Sequence, residues 1–410
     1  MSKNNQSRPT VLVTDGGRGS AIAIVRSLGQ RGWRVIVADS DPRSLGFRSR
    51  YAAERLVYPS PEASPRELVA TLRQAADDMA VDLIIPVTDA IILPLSQARS
   101  QFDGVCKLAL PDAAGLDVVT NKLRTLELAN SLGVPTPQTC LVETVSEAAA
   151  LGARFGWPIV LKPQRSRVYR DKSAIETYSV CYGENPERLA EQMQRFEGRC
   201  PVLLQEYCAG TGLGVEILAD RGRVLAAFQH KRLREIPISG GVSAFRESVA
   251  LDPVLYGHAE RLMKALNWTG LAMVEFKVGR DGPKLMEING RVWGSLPLAV
   301  HSGMDFPGLL AELYLFGPPE PNAPPQTSYT IGVRSRNLEL DLKWIASVLR
   351  GKRKDPFFAM PSRFQGVAAL LGLFNPVYKF DILSWEDPLP GLADIPRIIH
   401  KYRGKLKQAV

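Results

Sequence analysis

Residues 271–291 contain the side chains whose types and spacing are best suited to metal chemistry. The segment has the pattern of two β-strands joined by a turn, and side chains alternate between the two faces of a strand. Glu275 on the first strand can therefore share a face with Glu287 and Asn289 on the second. These side chains supply oxygen ligands, and magnesium is usually held by one or two carboxylates together with substrate phosphates. The pattern predicts a magnesium site beside a phosphate.

The register of this hairpin depends on its turn. If residues 280–282 form a three-residue loop with glycine in the left-handed position, Gly279 pairs with Pro283 and Glu275 lies directly opposite Glu287. Directly opposed like charges destabilise a sheet, so a cation should compensate them. The alternative is a solvated acidic face. A buried hairpin, where unpaired carboxylates are costly, is favoured by the apolar neighbours Phe276, Leu285, Met286 and Ile288.

The hairpin resembles the ATP-grasp superfamily. The matching stretches are MVEF at residues 273–276 and LMEINGR at residues 285–291. The continuation VWGSL at residues 292–296 resembles one branch, which contains carbamoyl-phosphate-synthetase-like ATP-binding domains and D-aspartate-ligase-like carboxylate–amine ligases. The resemblance covers roughly the first three-quarters of the chain, because upstream elements occur in the order that the superfamily has.

The resemblance implies roles for residues in this hairpin and before it. Mg²⁺, or else Mn²⁺, would bridge the ATP phosphates on Glu275, Glu287 and Asn289. ATP would contact two lysines, a hinge and a further carboxylate, namely Lys122, Lys162, Gln205, Glu206, Tyr207 and Glu216. Arg291 would face the acyl phosphate or the carboxylate substrate, and Arg232 and Lys231 could stabilise the charge that develops in phosphoryl transfer.

Other interpretations of these residues stay open at this point. An isolated lysine is usually a solvated surface residue, and residues 202–207 could form an ordinary core strand. The cationic segment 230–235 could be an edge strand that its charges protect. Residues 164–172 depart from the family pattern, because many members carry a glycine-rich loop over the phosphates and this stretch has no glycine. Its arginines could donate to phosphate instead.

The elements that position these residues follow from the hydrophobic pattern. Alternating strands and helices in residues 1–113 predict a parallel sheet with helices on both faces. Residues 114–200 and 201–320 predict two α+β units, a small central lid domain with the lysines and a mixed-sheet domain with the hairpin. The fold class is thus α/β plus α+β, the three-part architecture that the ATP-grasp resemblance implies. Residues 321–410 form a basic C-terminal extension.

The first unit contains a glycine turn at residues 16–19, followed by Asp39 at the end of the next strand. The GxGxxG spacing of a dinucleotide site is absent, so a tight strand-to-helix turn explains the glycines at least as well as a bound ligand does. In the superfamily a similar domain usually contacts the substrate that is not the nucleotide. Thr88 and Asp89 follow a strand at the carboxyl end of the sheet, where ligands gather.

The composition excludes several classes of protein. The chain has 410 residues, of which 45% are hydrophobic and 23% charged, as in ordinary globular proteins. We find no secretory signal and no apolar run long enough to span a bilayer, and the five cysteines form no CxxC pair, so we expect a cytoplasmic protein. The net charge of +9 is concentrated in residues 331–410, where 14 Lys and Arg accompany 7 Asp and Glu. A local surplus argues against general nucleic-acid binding.

The end of the chain predicts a basic amphipathic helix. Its apolar stripe would consist of Ile395, Ile398, Ile399, Tyr402 and Leu406. Such a helix can rest on an anionic membrane surface, here the inner face. A terminal helix that docks this stripe on the body of the protein is the favoured alternative.

These features predict an ATP- and magnesium-dependent ligase. ATP would convert a substrate carboxylate to an acyl phosphate, and an amine would attack it to give an amide. Two alternatives remain. A non-catalytic nucleotide-binding or scaffold protein would suit the glycine-free stretch, and a nucleotide-dependent oxidoreductase would use the first unit. The sequence identifies neither substrate nor the oligomeric state.

Overall fold

A computed structural model describes residues 8–165, 167–170, 174–351 and 357–407. The described strands form three larger sheets and one small hairpin. A parallel sheet comes first in the chain and two sheets of mainly antiparallel strands follow it, which matches the α/β plus α+β class expected from the sequence.

The first sheet is parallel throughout and has the strand order β3-β2-β1-β4-β5. Alternate side chains of β1 enter different cores, Leu12 one and Val11 and Val13 the other, so both faces of the sheet are covered. The elements of this unit are β1 Thr10–Val13, α1 Gly19–Gln30, β2 Arg34–Asp39, β3 Ala52–Val57, α2 Pro65–Asp78, β4 Leu83–Ile85, α3 Asp89–Gln97 and β5 Lys107–Leu108.

The central sheet is antiparallel and has the order β10-β7-β11-β6. One face carries Ile159 and Leu161 into a core of its own. The elements are α4 Ala113–Thr120, α5 Lys122–Ser131, β6 Thr139–Val142, α6 Val145–Gly152, β7 Ile159–Pro163, β8 Arg167–Arg170, β9 Ala174–Thr177, β10 Cys181–Gly183, α7 Pro186–Met193 and β11 Val202–Glu206. The separate hairpin β8–β9 contains much of the glycine-free stretch 164–172, of which residues 166, 171 and 172 lie outside the described residues.

The third sheet has the order β16-β15-β12-β13-β14-β17-β18 and is antiparallel except for its last pair. Most of it comes from consecutive elements, namely β12 Thr211–Asp220, β13 Arg223–Ile236, β14 Val242–Ser248, α8 Pro253–Ala265, β15 Gly270–Gly279, β16 Gly282–Asn289, α9 Leu296–His301 and α10 Phe306–Phe316. The cationic segment 230–235 lies in β13, which pairs with a strand on each side. Its interpretation as an edge strand is therefore wrong.

The hairpin β15–β16 brings Glu275 opposite Glu287, as predicted, but by a different route. Gly279 pairs with Gly282 rather than with Pro283, so the turn is one residue shorter than expected. A bulge between Glu275 and Phe276 then restores the register, because β16 has one extra residue, Met286, at that point. The predicted three-residue loop is thus wrong, and the predicted facing of the carboxylates is confirmed.

The C-terminal extension continues the third sheet. Its elements are β17 Arg334–Arg336, α11 Leu338–Arg350, α12 Arg363–Leu371, β18 Lys379–Phe380 and α13 Pro388–Lys407. Strand β17 pairs with β14, and β18 pairs with β17. Two buried ion pairs support this junction, one between Arg246 and Asp381 and one between Arg336 and Asp341 (3.0 Å).

Helix α13 docks on the body of the protein. Ile398 is 3% exposed, whereas its neighbour Ile399 is 48% exposed, and Arg397 and Lys401 form ion pairs with Glu339 of α11. Among the described residues no helix is both long and apolar enough to cross a membrane. Contact with a membrane surface stays a prediction, and the Leu406 side chain lies outside the described part of the helix.

We expect Glu339→Gln to weaken the docking of α13. Burial alone would raise the pKa of Glu339, but hydrogen bonds from Lys343 (2.7 Å) and Lys401 (2.8 Å) outweigh it and lower the pKa to about 2. A carboxyl group with a lowered pKa stabilises the fold above its ordinary pKa and loses this effect as the pH falls toward 2. The network is partly exposed, so the loss at pH 7 should be roughly 1 kcal/mol. Urea unfolding at pH 7 and pH 3 would measure it.

The matched control for this prediction is Glu320→Gln, which changes an exposed carboxylate. It should leave the free energy of unfolding unchanged at both pH values. A Glu339→Gln variant that matches the wild type at pH 7 would contradict the proposed network.

Candidate functional site

The opposed carboxylates of the β15–β16 hairpin form the centre of the site. Asn289 Nδ2 donates a hydrogen bond to Glu275 Oε1 (3.0 Å) and another to Glu287 Oε1 (3.0 Å). Arg232 Nη2 lies 2.5 Å from Glu275 Oε1. The structure therefore brings together all three predicted metal ligands and the predicted catalytic residue Arg232.

The donor set suits a hard divalent cation. Within the described residues no three His, Cys, Asp or Glu side chains converge to form a complete metal site. An ion held by Glu275 and Glu287 would thus need further oxygen ligands from water or phosphate, which is how magnesium is commonly bound. Asn289 turns its Nδ2 toward both carboxylates and its Oδ1 toward Arg291 Nη2 (3.1 Å), so the amide would have to turn over before its oxygen could join an ion held by Glu275 and Glu287.

The two carboxyl groups differ in their electrostatic environment. Burial raises the pKa of Glu275, although the charge of Arg232 reduces this effect. Burial also opposes the ionisation of Glu287, but the charges of Lys122 and Lys162 outweigh it and lower the pKa of Glu287. Glu287 is therefore the carboxylate that is more firmly ionised.

The predicted phosphate-binding lysines reach Glu287 from two other elements. Lys122 is the first residue of α5. The Asn121 side chain caps this helix by accepting hydrogen bonds from backbone N–H groups of its first turn. The backbone N–H of Lys122 donates to the Gln164 carbonyl oxygen (3.1 Å). Lys162 lies on the face of β7 opposite to the central core. Burial lowers the pKa of both lysines, and the charge of Glu287 opposes that shift. Two cations and two carboxylates thus meet at the junction of the central and third sheets.

The predicted hinge residues make internal bonds at the end of β11. Gln205 is buried, and its Nε2 donates to Thr139 Oγ1 (2.9 Å). The Glu206 carboxylate accepts from Gln138 N (3.0 Å) and forms an ion pair with Lys284. These side chains hold the hinge against β6 and β16. The pairing of Lys284 with Glu206 joins residues 78 positions apart, which no local pattern could have indicated.

Glu216 lies in a setting that differs from the expected ATP contact. Its side chain is wholly buried and pairs with His230 Nδ1 on the neighbouring strand β13. Burial raises the pKa of Glu216 well above its usual value and, together with the charges of Arg232 and Arg246, lowers the pKa of His230 to about 3. Burial thus opposes the charged form of both members of the pair. Gly214 permits this pair, because a Cβ there would lie 2.6 Å from His230 Cε1.

Of the two basic residues predicted on β13, only Arg232 faces the carboxylates. Besides Glu275 it contacts Glu235 Oε1 (3.1 Å) and the carbonyl oxygen of Gly241 (3.1 Å) through Nη1. Lys231 is the next residue along the strand, so its side chain leaves from the opposite face of the sheet. The structure does not bring Lys231 to the site.

Arg291 joins the hairpin to the first unit. Its Nε donates to Asp89 Oδ2 (2.9 Å) at the start of α3, and Nη1 donates to the Val292 carbonyl oxygen (2.9 Å). The sequence placed Asp89 at the end of a strand in the parallel sheet but gave no indication of this partner. A cleft of about 560 Å³ adjoins the pair and is lined by residues that include Lys122, Glu287 and Arg165.

The glycine turn of the first unit is held by Asp39. Its Oδ2 accepts from Gly17 N (2.7 Å) and from Ser44 Oγ (2.8 Å). In a dinucleotide site the corresponding carboxylate accepts hydrogen bonds from the ribose hydroxyls. Here Asp39 Oδ2 already accepts two hydrogen bonds from the protein. This geometry favours the strand-to-helix turn over a dinucleotide site.

Sequence comparisons match the part of the chain that contains the hairpin. Residues 199–337 match the family described as "ATP-grasp in the biosynthetic pathway with Ter operon". The carbamoyl phosphate synthase large chain of Xylella fastidiosa is 29% identical over 195 residues, 44% of this chain and 18% of the relative. The corresponding protein of Archaeoglobus fulgidus is 23% identical over 210 residues, 50% of this chain and 19% of the relative. The chain spans less than a fifth of the length of these curated relatives.

Solved structures of three enzymes share the fold. An ADP complex of N5-carboxyaminoimidazole ribonucleotide synthetase has a TM-score of 0.62 and 14% identity, and 89% of this chain and 97% of that chain are covered. The biotin carboxylase domain of 2-oxoglutarate carboxylase from Hydrogenobacter thermophilus has a TM-score of 0.61 and 18% identity, and 79% of this chain and 73% of that chain are covered. An L-amino acid ligase from Bacillus licheniformis has a TM-score of 0.59 and 15% identity, and 76% of this chain and 75% of that chain are covered. With the family match, these likenesses confirm the ATP-grasp fold and the resemblance to that superfamily.

Proposed function

We propose that the chain is an ATP- and magnesium-dependent ligase that joins a carboxylate to an amine. The observation that carries the proposal is the convergence of Lys122 and Lys162 on Glu287, with Glu275 and Asn289 beside it. Cations and carboxylates in one buried site suit a ligand that brings phosphates and a divalent cation together. Three separate parts of the chain supply these groups, so a chance surface cluster does not explain them.

The reaction would have two steps. A substrate carboxylate oxygen attacks the γ-phosphorus of ATP, the bond from that phosphorus to the bridging oxygen breaks, and ADP and an acyl phosphate form. The amine nitrogen then attacks the acyl carbon, phosphate leaves with its oxygen, and the nitrogen loses a proton. Neither step needs a nucleophilic residue of the protein.

The chain's own residues have distinct tasks in this scheme. Lys122 and Lys162 bind the phosphates, and Glu275 and Glu287 hold the magnesium ion, which neutralises phosphate charge when it is bound. Manganese prefers similar oxygen ligands and could replace magnesium. Arg291, oriented by Asp89 (2.9 Å), holds the substrate carboxylate or the acyl phosphate. Positively charged groups that are already oriented stabilise the transferring phosphoryl group without reorganisation.

The relatives support this class of reaction. The printed names include an L-amino acid ligase, a carbamoyl phosphate synthase and an N5-carboxyaminoimidazole ribonucleotide synthetase, and one related structure holds MgADP and bicarbonate. On the same basis we propose ATP, a small carboxylate and a small amine as the ligands of this chain.

A non-catalytic nucleotide-binding protein is the second candidate. The glycine-free stretch 164–172 favours it, because a rigid or differently shaped lid would bind phosphate without promoting transfer. A nucleotide-dependent oxidoreductase is less well supported, because the Asp39 carboxylate is used by the glycine turn.

An ADP-release screen over amino acids and sugar-linked carboxylates, each with and without an amine and with Mg²⁺, tests the proposal. We expect amide formation only when acid, amine, ATP and Mg²⁺ are all present, with one ADP released per bond. ATP binding without ADP release from any pair would favour the non-catalytic protein. Binding of NAD without binding of ATP would favour the oxidoreductase.

A further inference from the structure

Three aromatic rings from three parts of the chain meet at the outer end of the nucleotide hinge. Tyr207 follows the hinge residue Glu206, Tyr182 lies on β10 of the central sheet, and Phe358 belongs to the segment between α11 and α12 of the extension. The ring centroids of Phe358 lie 5.1 Å from Tyr207 and 5.3 Å from Tyr182, with interplanar angles of 78° and 71°. These are edge-to-face contacts, which are favourable between aromatic rings.

The cluster lies on the side of the central sheet that faces the proposed ATP site. Tyr182 is directly opposite Val160, so both side chains leave from one face of the sheet, and Lys162 shares that face. Ile159 and Leu161 on the other face enter the central core. Tyr182 and Lys162 therefore project from the same face of the central sheet.

A loop of the third sheet connects the aromatic cluster to the carboxylates. The Tyr182 hydroxyl lies 3.4 Å from the Ser239 carbonyl oxygen, and in the same loop the Gly241 carbonyl oxygen accepts from Arg232 (3.1 Å). Arg232 in turn contacts Glu275 (2.5 Å). The cluster thus stands at the hinge end of the site whose other end contains the predicted metal ligands.

Phe358 is largely buried although it belongs to the extension. It is 8% exposed, whereas Phe364 and Phe374 of the same extension are 79% and 83% exposed. Phe358 also lies beyond residues 199–337, the part of the chain that matches the family. A residue of the extension is therefore buried at a position next to the hinge.

We propose that Phe358 forms the outer wall of the pocket for the nucleotide base. The extension thereby completes the nucleotide site and contributes to its preference for a base over a bare polyphosphate. This inference rests on the proposed use of ATP. A flat, apolar ring at the hinge gives a purine a surface to pack on, and aromatic side chains contribute strongly to the binding of bases. The lysines bind only the phosphates, so base recognition needs such a wall.

The test compares two ligands in the full-length protein. Calorimetric titration with MgATP and with Mg-tripolyphosphate gives the dissociation constant of each. We expect Phe358→Ala to raise the Kd for MgATP about tenfold and to leave the Kd for tripolyphosphate unchanged, because the latter has no base. Phe358→Tyr, which keeps the ring, should bind MgATP nearly as the wild type does. Phe364→Ala is the matched control from the same extension and should change neither constant.

Other results would overturn the inference. Equal weakening of both ligands would mean that Phe358 only supports the fold of the site, and unchanged or tighter MgATP binding would mean that it is not a wall of the base pocket. Wild-type protein that binds tripolyphosphate but not ATP would also exclude a base pocket. A wild-type protein that binds neither ligand would overturn the proposed function itself, which separates that failure from the failure of this inference.

Discussion

Glu287→Gln is expected to reduce ATP-dependent turnover by roughly 10²–10³-fold, the loss typical of removing one oriented electrostatic group from an active site. Glu287 is the carboxyl group that faces both Lys122 and Lys162, which lower its pKa and keep it ionised. Glutamine has the same shape but no charge, so it cannot neutralise a divalent cation. The free energy of unfolding should fall modestly, because a lowered pKa means that the ionised Glu287 stabilises the fold, although Glu275 loses a like charge directly opposite to it. ADP release and thermal unfolding measure the two effects.

The control for this variant is Asp281→Asn, which removes an exposed carboxylate from the turn of the same hairpin. It should retain wild-type turnover at every magnesium concentration. Full activity of Glu287→Gln, under conditions where the wild type is active, would refute the metal site. A loss of activity together with a large fall in the unfolding temperature would point to a structural role instead.

Arg232→Met is expected to lower the free energy of unfolding by about 3–5 kcal/mol, as is usual when one partner of a buried ion pair is removed. The guanidinium contacts Glu275 (2.5 Å) and Glu235 (3.1 Å), and its side chain is 13% exposed. Methionine fills a similar volume but leaves two carboxylates without this cation. Arg232→Lys should lose less, because it keeps the charge but cannot bond both carboxylates in the same geometry. Urea unfolding gives the differences.

Two further variants make this prediction specific. Lys231→Met, half-buried on the opposite face of β13, should cost less than about 1 kcal/mol, because its loss leaves neither Glu275 nor Glu235 without a partner. Glu275→Gln combined with Arg232→Met should recover part of the loss, since it removes one uncompensated carboxylate. If Lys231→Met and Arg232→Met were equally destabilising, the ion pairs of Arg232 would not be the cause.

Local periodicity was enough to identify the face of the hairpin that carries the carboxylates. The alternation of residues along β15 and β16 places Glu275, Glu287 and Asn289 together whether the turn has three residues or has two residues and a compensating bulge. The bulge at Met286 itself has no local signature, because its position is set by the packing of the hairpin against its neighbours. The parallel first sheet was likewise predicted from alternating short apolar strands and helices.

Long-range pairings explain most of what the sequence could not show. Asp89 meets Arg291 across 202 positions, and Phe358 reaches the hinge from the far end of the chain. Strands β17 and β18 have three and two residues, too few for any period to appear. The family pattern suggested that Glu216 could contact ATP, whereas the structure pairs it with His230. This pair forms because the sheet register places His230 opposite Gly214, which has no side chain to block it.

Strands β17 and β18 have a practical consequence for the choice of a shortened fragment of the protein. The region that matches the family ends at residue 337, which makes a shortened chain an obvious choice for expression. Such a fragment would lack β18 and the Asp381 partner of Arg246, which is 1% exposed. It would leave a charged side chain buried without its counter-ion and β17 as an unprotected border of the sheet, and such borders promote aggregation. Insolubility of the fragment would therefore reflect an opened sheet, and biochemical work should keep the chain whole.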